Sequence, residues 1–473
     1  MRQPLRATLS VSLQELQQAL GLAADPGPPL ALTGVATDSR DVEPGDLFVA
    51  LVGERHDGHG FLEAALSAGA AAVLVQQTCE APAAPVLRVE DTLDALGRLG
   101  RYWRRRCGPR LVAVTGSNGK TTTKEMVAAV LAVHAGSRED VLVTPGNFNN
   151  YIGLPLTLLG ASPRQAVGVV ELGMNAPGEI AHLTALAEPE VGVVTNAAEA
   201  HLMRFGSVDG VARAKAELWG GLSRDACAVV PADDARLVKL ARERAAGPRS
   251  TFGWSEEAEI RVLRAEPTAG RALSLSLRTP RGNLDVTLPL LGRHNGLNAA
   301  AATAACLALG VELAAVREGL GATLPLPHRA RLLQLGGVTV LDDCYNANPP
   351  SVRAGAATLL ELPGNGRAGA VIGDMLELGD DALPLHEALG RELARLGVEV
   401  VVGLGPLTAA LCAGAREGGA PEVVHVASAQ EAAQEVRRRF GAGDRVLVKG
   451  SRGMELESVI AHWQLAVAQG EGS

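Results

Sequence analysis

The chain has 473 residues, 47% of them apolar and only 3% aromatic, with a formal net charge of −8. That length suits about three domains, each with a core of Ala, Val and Leu rather than large rings. The acidic balance argues against a nucleic-acid footprint, and no apolar run approaches the ~20 residues of a membrane span. Cys79, Cys107, Cys227, Cys306, Cys344 and Cys412 are scattered with no CxxC pair. They form neither a disulfide framework nor a zinc site and suit a reducing cytosol. The first residues, MRQPLRATLSVSLQELQQALG, lack the layout of a signal peptide, so a soluble, cytoplasmic protein is expected.

Residues 1–108 read as a small α/β domain. Its polar turn Thr37-Asp38-Ser39-Arg40 is able to hold a phosphate or a polar ring, although an ordinary Asp/Ser turn with a solvated arginine fits as well. RYWRRRCGPR (101–110) is a basic helix end that closes on Gly108-Pro109, a natural linker.

LVAVTGSNGKTTTKEM (111–126) is the stretch around which the rest is organised. A buried strand, a glycine turn and a helix N-terminus aim backbone N–H groups and a positive dipole end at phosphate. The turn is Gly116, Ser117, Asn118, Gly119, Lys120, Thr121 and Thr122. Lys120 can reach the outer phosphates, and the Thr121 hydroxyl can sit on Mg²⁺. Val114 stands where a full P-loop signature has its first glycine.

From 109 to 324, strands alternate with helical patterns, the rhythm of a mostly parallel sheet wrapped by helices. VGVVE (167–171), VGVVT (191–195) and ACAVV (226–230) are its buried strands, and LSLSL (273–277) marks an antiparallel hairpin insert. Glu171 closes one strand as a good oxygen ligand for a hard cation, with a helix-capping acid as the lesser alternative. His201 follows the next strand on the same rim. LLGRHNGLNAAAATAACLALG opens a long helix with His294, Asn295 and Asn298 in its first turn. Those amides could hold adenine or ribose, or could cap the helix.

Basic residues are nearly all arginine, and the five lysines are Lys120, Lys124, Lys215, Lys239 and Lys449. In such a chain a retained lysine marks a need for a compact or deprotonatable amine. Lys124 and Lys239 instead read as ordinary surface residues. Lys215 lies on a predicted helix, with Glu217 too close in sequence to be its helical partner. After the two prolines of LPLPHR come VTVLD, AGAVIGD, VEVVVG, EVVHV and RVLVKG, a doubly wound parallel domain over 325–473 that lacks a GxGxxG turn.

The constellation resembles the Mur ligase family over essentially the whole chain. TGSNGKTTT is similar to its phosphate loop, whose missing first glycine is normal for the family. TDSRDVEPGDLFVAL, GNFNNYIGLP, ELGMNAPGEI, AHLMRFGSVDGVARAKAEL, DDCYNANPPSV, VIGDMLELG and VLVKGSRGMELE carry the rest of the likeness. YNANP and GDMLELG point to the type that adds D-alanyl-D-alanine to UDP-MurNAc-tripeptide. The resemblance implies a monomeric, ATP-dependent amide ligase working through an acyl phosphate, with two Mg²⁺ sites and a lysine carbamate formed from CO₂. It implies that Lys120 contacts the β/γ-phosphates, that Thr121 and Glu171 hold one Mg²⁺, and that His201 and carbamylated Lys215 hold the other. Asn295, Asn298, Arg329 and Asp343 would contact the nucleotide. Ser39 and Arg40 would lie near the UDP end, and Asn149 and Asn150 near the muramyl side. Asn346 and Asn348 would face the dipeptide, with Lys449 and Arg452 close by. Domains 1–108, 109–324 and 325–473 would hold UDP-sugar, ATP and amino substrate, with hinges at 108–109 and 324–328. The rivals are another ligase of the superfamily, adding the third residue or of folylpolyglutamate type, and a non-ligating nucleotide-binding module. The TDSR-bearing first domain argues against the folylpolyglutamate type.

Overall fold

The computed structural model describes residues 4–24, 29–53, 56–76, 84–268 and 271–470, so Cys79 lies outside the described residues. Three sheets divide the chain into three α/β domains. In the N-terminal domain, Arg6–Ser12, Ala31–Ala36, Asp46–Val49, Ala72–Val75 and Val86–Arg88 lie side by side in chain order. The first pair is antiparallel and the others are parallel.

Helix Thr92–Cys107 ties this domain to the next. Asp91 caps its start by accepting from the Leu93 and Asp94 amides, and Gly108, at φ +69°, ends it in the left-handed conformation glycine tolerates best. Its far face is spent on the central domain. Trp103 Nε1 donates to the Ala161 carbonyl at 2.8 Å, and Arg104 donates to the carbonyls of Ala187 and Glu188. Arg101 and Arg105 both reach the Glu188 carboxylate. The junction at 108–109, expected from its Gly-Pro to be a hinge, is therefore clamped on its N-terminal side.

The central sheet has nine strands. Arg110–Thr115 lies deep within it between Val191–Val194 and Val167–Glu171, and all three run parallel, so their C-terminal ends share one rim. Beyond Cys227–Pro231 and Arg249–Gly253, the strands Ile260–Pro267, Leu273–Thr279 and Gly282–Leu288 extend the sheet as the expected antiparallel insert. The core is small-grained. Ala299, Ala300, Ala301 and Ala302 of helix His294–Ala308 are fully buried and pack near helix Lys120–Ala135. On the other side of that helix Gly319 comes so close that a Cβ there would stand 2.3 Å from the Val130 Cα.

The C-terminal sheet runs Arg331–Leu335, Val338–Asp342, Arg445–Lys449, Ala368–Gly373, Val400–Leu404 and Glu422–Val426. Its last five strands are the parallel alternation the sequence suggests. Arg331–Leu335 adds an antiparallel edge, because Gly336 and Gly337, both at positive φ, close a tight hairpin onto Val338–Asp342. Lys124 departs from expectation. It is fully buried under the phosphate helix, its ammonium donating to the Thr144 carbonyl at 2.8 Å and pairing with Glu125 at 2.9 Å. Lys239 is exposed at the surface, as expected.

Candidate active site

The strand ends of the central sheet face the C-terminal domain across a cleft of about 880 Å³. The phosphate loop forms its floor. Gly116, at φ +152°, lies so close to Thr195 that a Cβ would meet its hydroxyl at 1.8 Å, and Gly119, at φ +81°, lies so close to Asn298 that a Cβ would stand 2.3 Å from its amide oxygen. Glycine is thus required twice, once for each neighbour the loop must touch. The Asn118 amide N–H donates to Asn196 Oδ1 at 3.0 Å, and its carbonyl accepts from Thr195 Oγ1 at 2.6 Å. Asn196 and Thr195 thus fix the loop's shape, and the N-terminus of helix Lys120–Ala135 points into the cleft.

Lys120 folds back on its own loop, donating to the Gly116 carbonyl at 2.8 Å. Burial lowers its pKa, a tendency the Glu171 carboxylate opposes and Arg329 reinforces. Glu171 is 2% exposed at the end of its strand. Its Oε1 accepts from Asn149 Nδ2 at 2.7 Å, but its buried Oε2 has no hydrogen-bond partner among the described residues. A half-satisfied buried carboxylate at a strand end is costly unless a cation completes it. Lys215 is likewise 2% exposed and makes no hydrogen bond or ion pair among the described residues. Burial first, then the charge of Lys120, push its pKa well below the ordinary lysine value. Burial thus favours the uncharged form of this amine.

Asn295 and Asn298 form part of the wall, but their amides serve the helix start. Asn295 Nδ2 donates to the Leu291 carbonyl at 2.6 Å and Asn298 Nδ2 to Asn295 Oδ1 at 2.8 Å. Thr122, Asn149 and Asn150 also face the cleft. The Asn150 side chain accepts from the amides of Ile152 and Gly153, fixing the loop that carries Asn149.

The opposite wall comes from the C-terminal domain. Asp343 Oδ2 lies 2.5 Å from the buried Lys449 ammonium, which also donates to the Asn346 carbonyl at 2.9 Å. Asn348 caps helix Pro349–Glu361 and exchanges hydrogen bonds with Asn118. Arg329 lies on the Tyr345 ring at 4.1 Å and donates to Thr121 Oγ1 at 3.0 Å. His201 faces the cleft, with its Nδ1 2.5 Å from Glu377 Oε2 of the C-terminal domain.

The cleft thus gathers most of the residues singled out in the sequence, but not all. Ser39, Arg40, Gly116, Lys215 and Arg452 lie outside its lining. Arg40 is held by Asp38 at 2.6 Å and Arg452 by Glu457 at 2.6 Å. Thr195, Asn196, Tyr345 and Glu377 were not singled out. Asn196 lies in the same NAAEAHL segment as His201, so its position after a strand was a usable signal. Glu377 had none, because its partner is in another domain.

The Mur ligase middle domain matches residues 114–306, the Mur ligase glutamate ligase domain residues 328–452, and the Mur ligase family catalytic domain residues 31–104. The UDP-N-acetylmuramoyl-tripeptide--D-alanyl-D-alanine ligase of Bacillus subtilis is 36% identical over 431 residues, 90% of this chain and 92% of its own. A MurF crystal structure from Acinetobacter baumannii superposes with a TM-score of 0.88 at 33% identity, covering 97% of this chain and 99% of that one. The MurF ligase of Thermotoga maritima in complex with ADP gives 0.81 at 29% identity, covering 92% and 98%. The chain belongs to the Mur ligase family. Within that family, its likeness over the full length is to enzymes of the MurF type.

Proposed function

We propose that this protein joins D-alanyl-D-alanine to UDP-MurNAc-tripeptide at the expense of ATP, a step of peptidoglycan precursor synthesis. One observation carries the reading: a single cleft has the phosphate loop on one wall and the YNANP segment with Lys449 on the other. The names of the relatives and the ADP bound to one of them support the same substrates. On this reading, residues 1–108, 109–324 and 325–473 serve the UDP-sugar, the nucleotide and the dipeptide.

The tripeptide carboxylate attacks the γ-phosphate to give an acyl phosphate and ADP, and the dipeptide amine then displaces phosphate from the acyl carbon. The chain's part is electrostatic and positional. Lys120 swings from the loop carbonyls onto the outer phosphates and offsets charge as it develops. Asn298 keeps Gly119 tight against the helix start, so the backbone N–H groups stay aimed at phosphate. Thr121 and Glu171 suit one Mg²⁺, with the unpartnered Glu171 oxygen as the observation behind that fit. His201 and Lys215 suit a second, Lys215 as the carbamate that a neutral buried amine forms with CO₂. When bound, the ions would supply Lewis-acid neutralisation of the phosphates. Closing the two walls together excludes the water that would hydrolyse an acyl phosphate. The test is ADP release with UDP-MurNAc-tripeptides and, in turn, D-Ala-D-Ala, D-Ala, L-Lys and D-Glu. Release should require the tripeptide and D-Ala-D-Ala together, and equal turnover with a single amino acid would overturn the reading.

A further inference from the structure

His201 and Glu377 meet across the domain boundary, and neither sits there at ease. Both are non-glycine residues in the left-handed region, His201 at φ 57° and Glu377 at φ 66°. Such conformations cost of order 1 kcal/mol or more each and persist where surrounding structure demands them. Here the demand is mutual. The Glu377 carbonyl accepts from the Met203 amide at 3.1 Å, while its carboxylate reaches back 2.5 Å to His201 Nδ1. Gly379, at φ +67°, lies against Met203, where a Cβ would come 3.1 Å from the Met203 Cα. Two loops from different domains are thus fitted to each other around one imidazole.

The fit bears on the ring's chemistry. Glu377 Oε2 stands 2.5 Å from Nδ1 as an ion-pair contact without aligned hydrogen-bond geometry; a carboxylate on that side favours the proton on Nδ1 and the lone pair on Nε2, which makes no hydrogen bond among the described residues. A metal-ligating histidine characteristically has this second partner, and loss of it loosens metal binding about 10- to 100-fold. Here it is delivered by the domain that carries the amino-substrate wall.

We propose that Glu377 is a positioning residue for His201, supplied from the C-terminal domain, so that the second cation site reaches full affinity only when that domain is docked on the central one. This rests on the reading of His201 as a ligand of the second Mg²⁺. It links occupancy of that site to the closed arrangement without any contact between Glu377 and the ion.

The experiment counts Mn²⁺ by electron paramagnetic resonance on the whole protein saturated with a non-hydrolysable ATP analogue. Wild type should bind two ions and His201→Ala one. Glu377→Ala should keep both sites but loosen the weaker about 10- to 100-fold. Glu377→Gln, which retains an uncharged acceptor, should recover part of that loss. In the His201→Ala background, Glu377→Ala should leave the remaining site unchanged. Two wild-type-tight sites in Glu377→Ala, with one lost in His201→Ala, would overturn the role of Glu377 and leave the ligand reading standing. Two sites in His201→Ala would overturn the ligand reading and the proposal with it. Loosening of the remaining site in the double variant would also overturn the proposal, since Glu377 would then act on docking alone.

Discussion

The side-chain amides of Asn118 and Asn348 hydrogen-bond each other in both directions, at 3.2 and 2.9 Å, although 230 residues separate them. One belongs to the phosphate loop and the other caps the first helix after YNANP. The phosphate loop is thus directly tied to the C-terminal wall of the cleft. Asn118→Ala should cut that tie while leaving the Asn348 cap in place. We expect the ligand-free molecule to expand in small-angle scattering, the KM for the dipeptide to rise more than that for the tripeptide, and stability to change by about 1 kcal/mol or less. Unchanged scattering and KM would show that the pair is incidental.

Lys120→Ala should lower kcat about 10²- to 10³-fold, the usual scale for removing one group that stabilises transition-state charge. Among the described residues its ammonium bonds only carbonyls of its own turn, so the fold should survive. A stopped assay beside a thermal melt checks both halves. A variant that loses activity because it melts would make Lys120 structural.

If Lys215 works as the proposed carbamate, Lys215→Ala should be nearly inactive and partly restored by millimolar formate or acetate, which can take the place of its carboxylate. Lys215→Arg should stay inactive, because a guanidinium keeps its proton and cannot take up CO₂. An active arginine variant would show that the position supplies a cation.

Lys124→Met keeps the buried methylenes but leaves the carbonyls of Thr144 and Gly146 without their donor. The expected loss of stability is about 1–3 kcal/mol by urea denaturation. Activity should fall as well. The Thr144 hydroxyl accepts from the Glu171 amide at 3.0 Å, and the same loop carries Asn149 to the Glu171 carboxylate. Stability and turnover both within error of wild type would dismiss this role.

Glu188 is held at a pKa of about 2, below the ordinary 4.5, chiefly by its hydrogen bond to Arg105 and then by Arg101. A depressed carboxylate stabilises the fold above its unfolded-state pKa, and that contribution fades as pH falls from about 4.5 towards 2. Glu188→Gln should therefore be less stable at pH 7, by about 1 kcal/mol because the arginines are partly in solvent. Urea midpoints should converge below pH 4.5. A gap that stays constant from pH 7 to 3.5 would rule out the ion pairs as its source.

Much of the fold was legible because its signals are local. A strand, a glycine turn and GKT fix the phosphate loop, and alternating apolar runs fix the parallel strands. Glu171 and His201 could be placed on one rim because each follows such a run. Pairings between distant segments were not legible. Lys124 reads as a surface residue beside Glu125 until the chain folds Thr144 and Gly146 over it. Asn348 reads as a substrate contact, yet its amide is already shared between a helix cap and Asn118. The Gly-Pro at 108–109 reads as a joint, but helix Thr92–Cys107 is clamped by arginines that find Glu188 and Glu190 some eighty residues later.

The run of fully buried alanines in helix His294–Ala308 has a genetic consequence. Where a core is made of methyl groups at contact distance, every added carbon must displace a neighbour, and overpacking typically costs 1–3 kcal/mol. Alleles such as Ala300→Val or Ala301→Val would leave every cleft residue in place yet press on the helix that holds Asn298 over Gly119. Random mutagenesis should therefore yield heat-sensitive alleles clustered in 299–305, active when cool and lost on warming, with no change to any residue that touches a substrate.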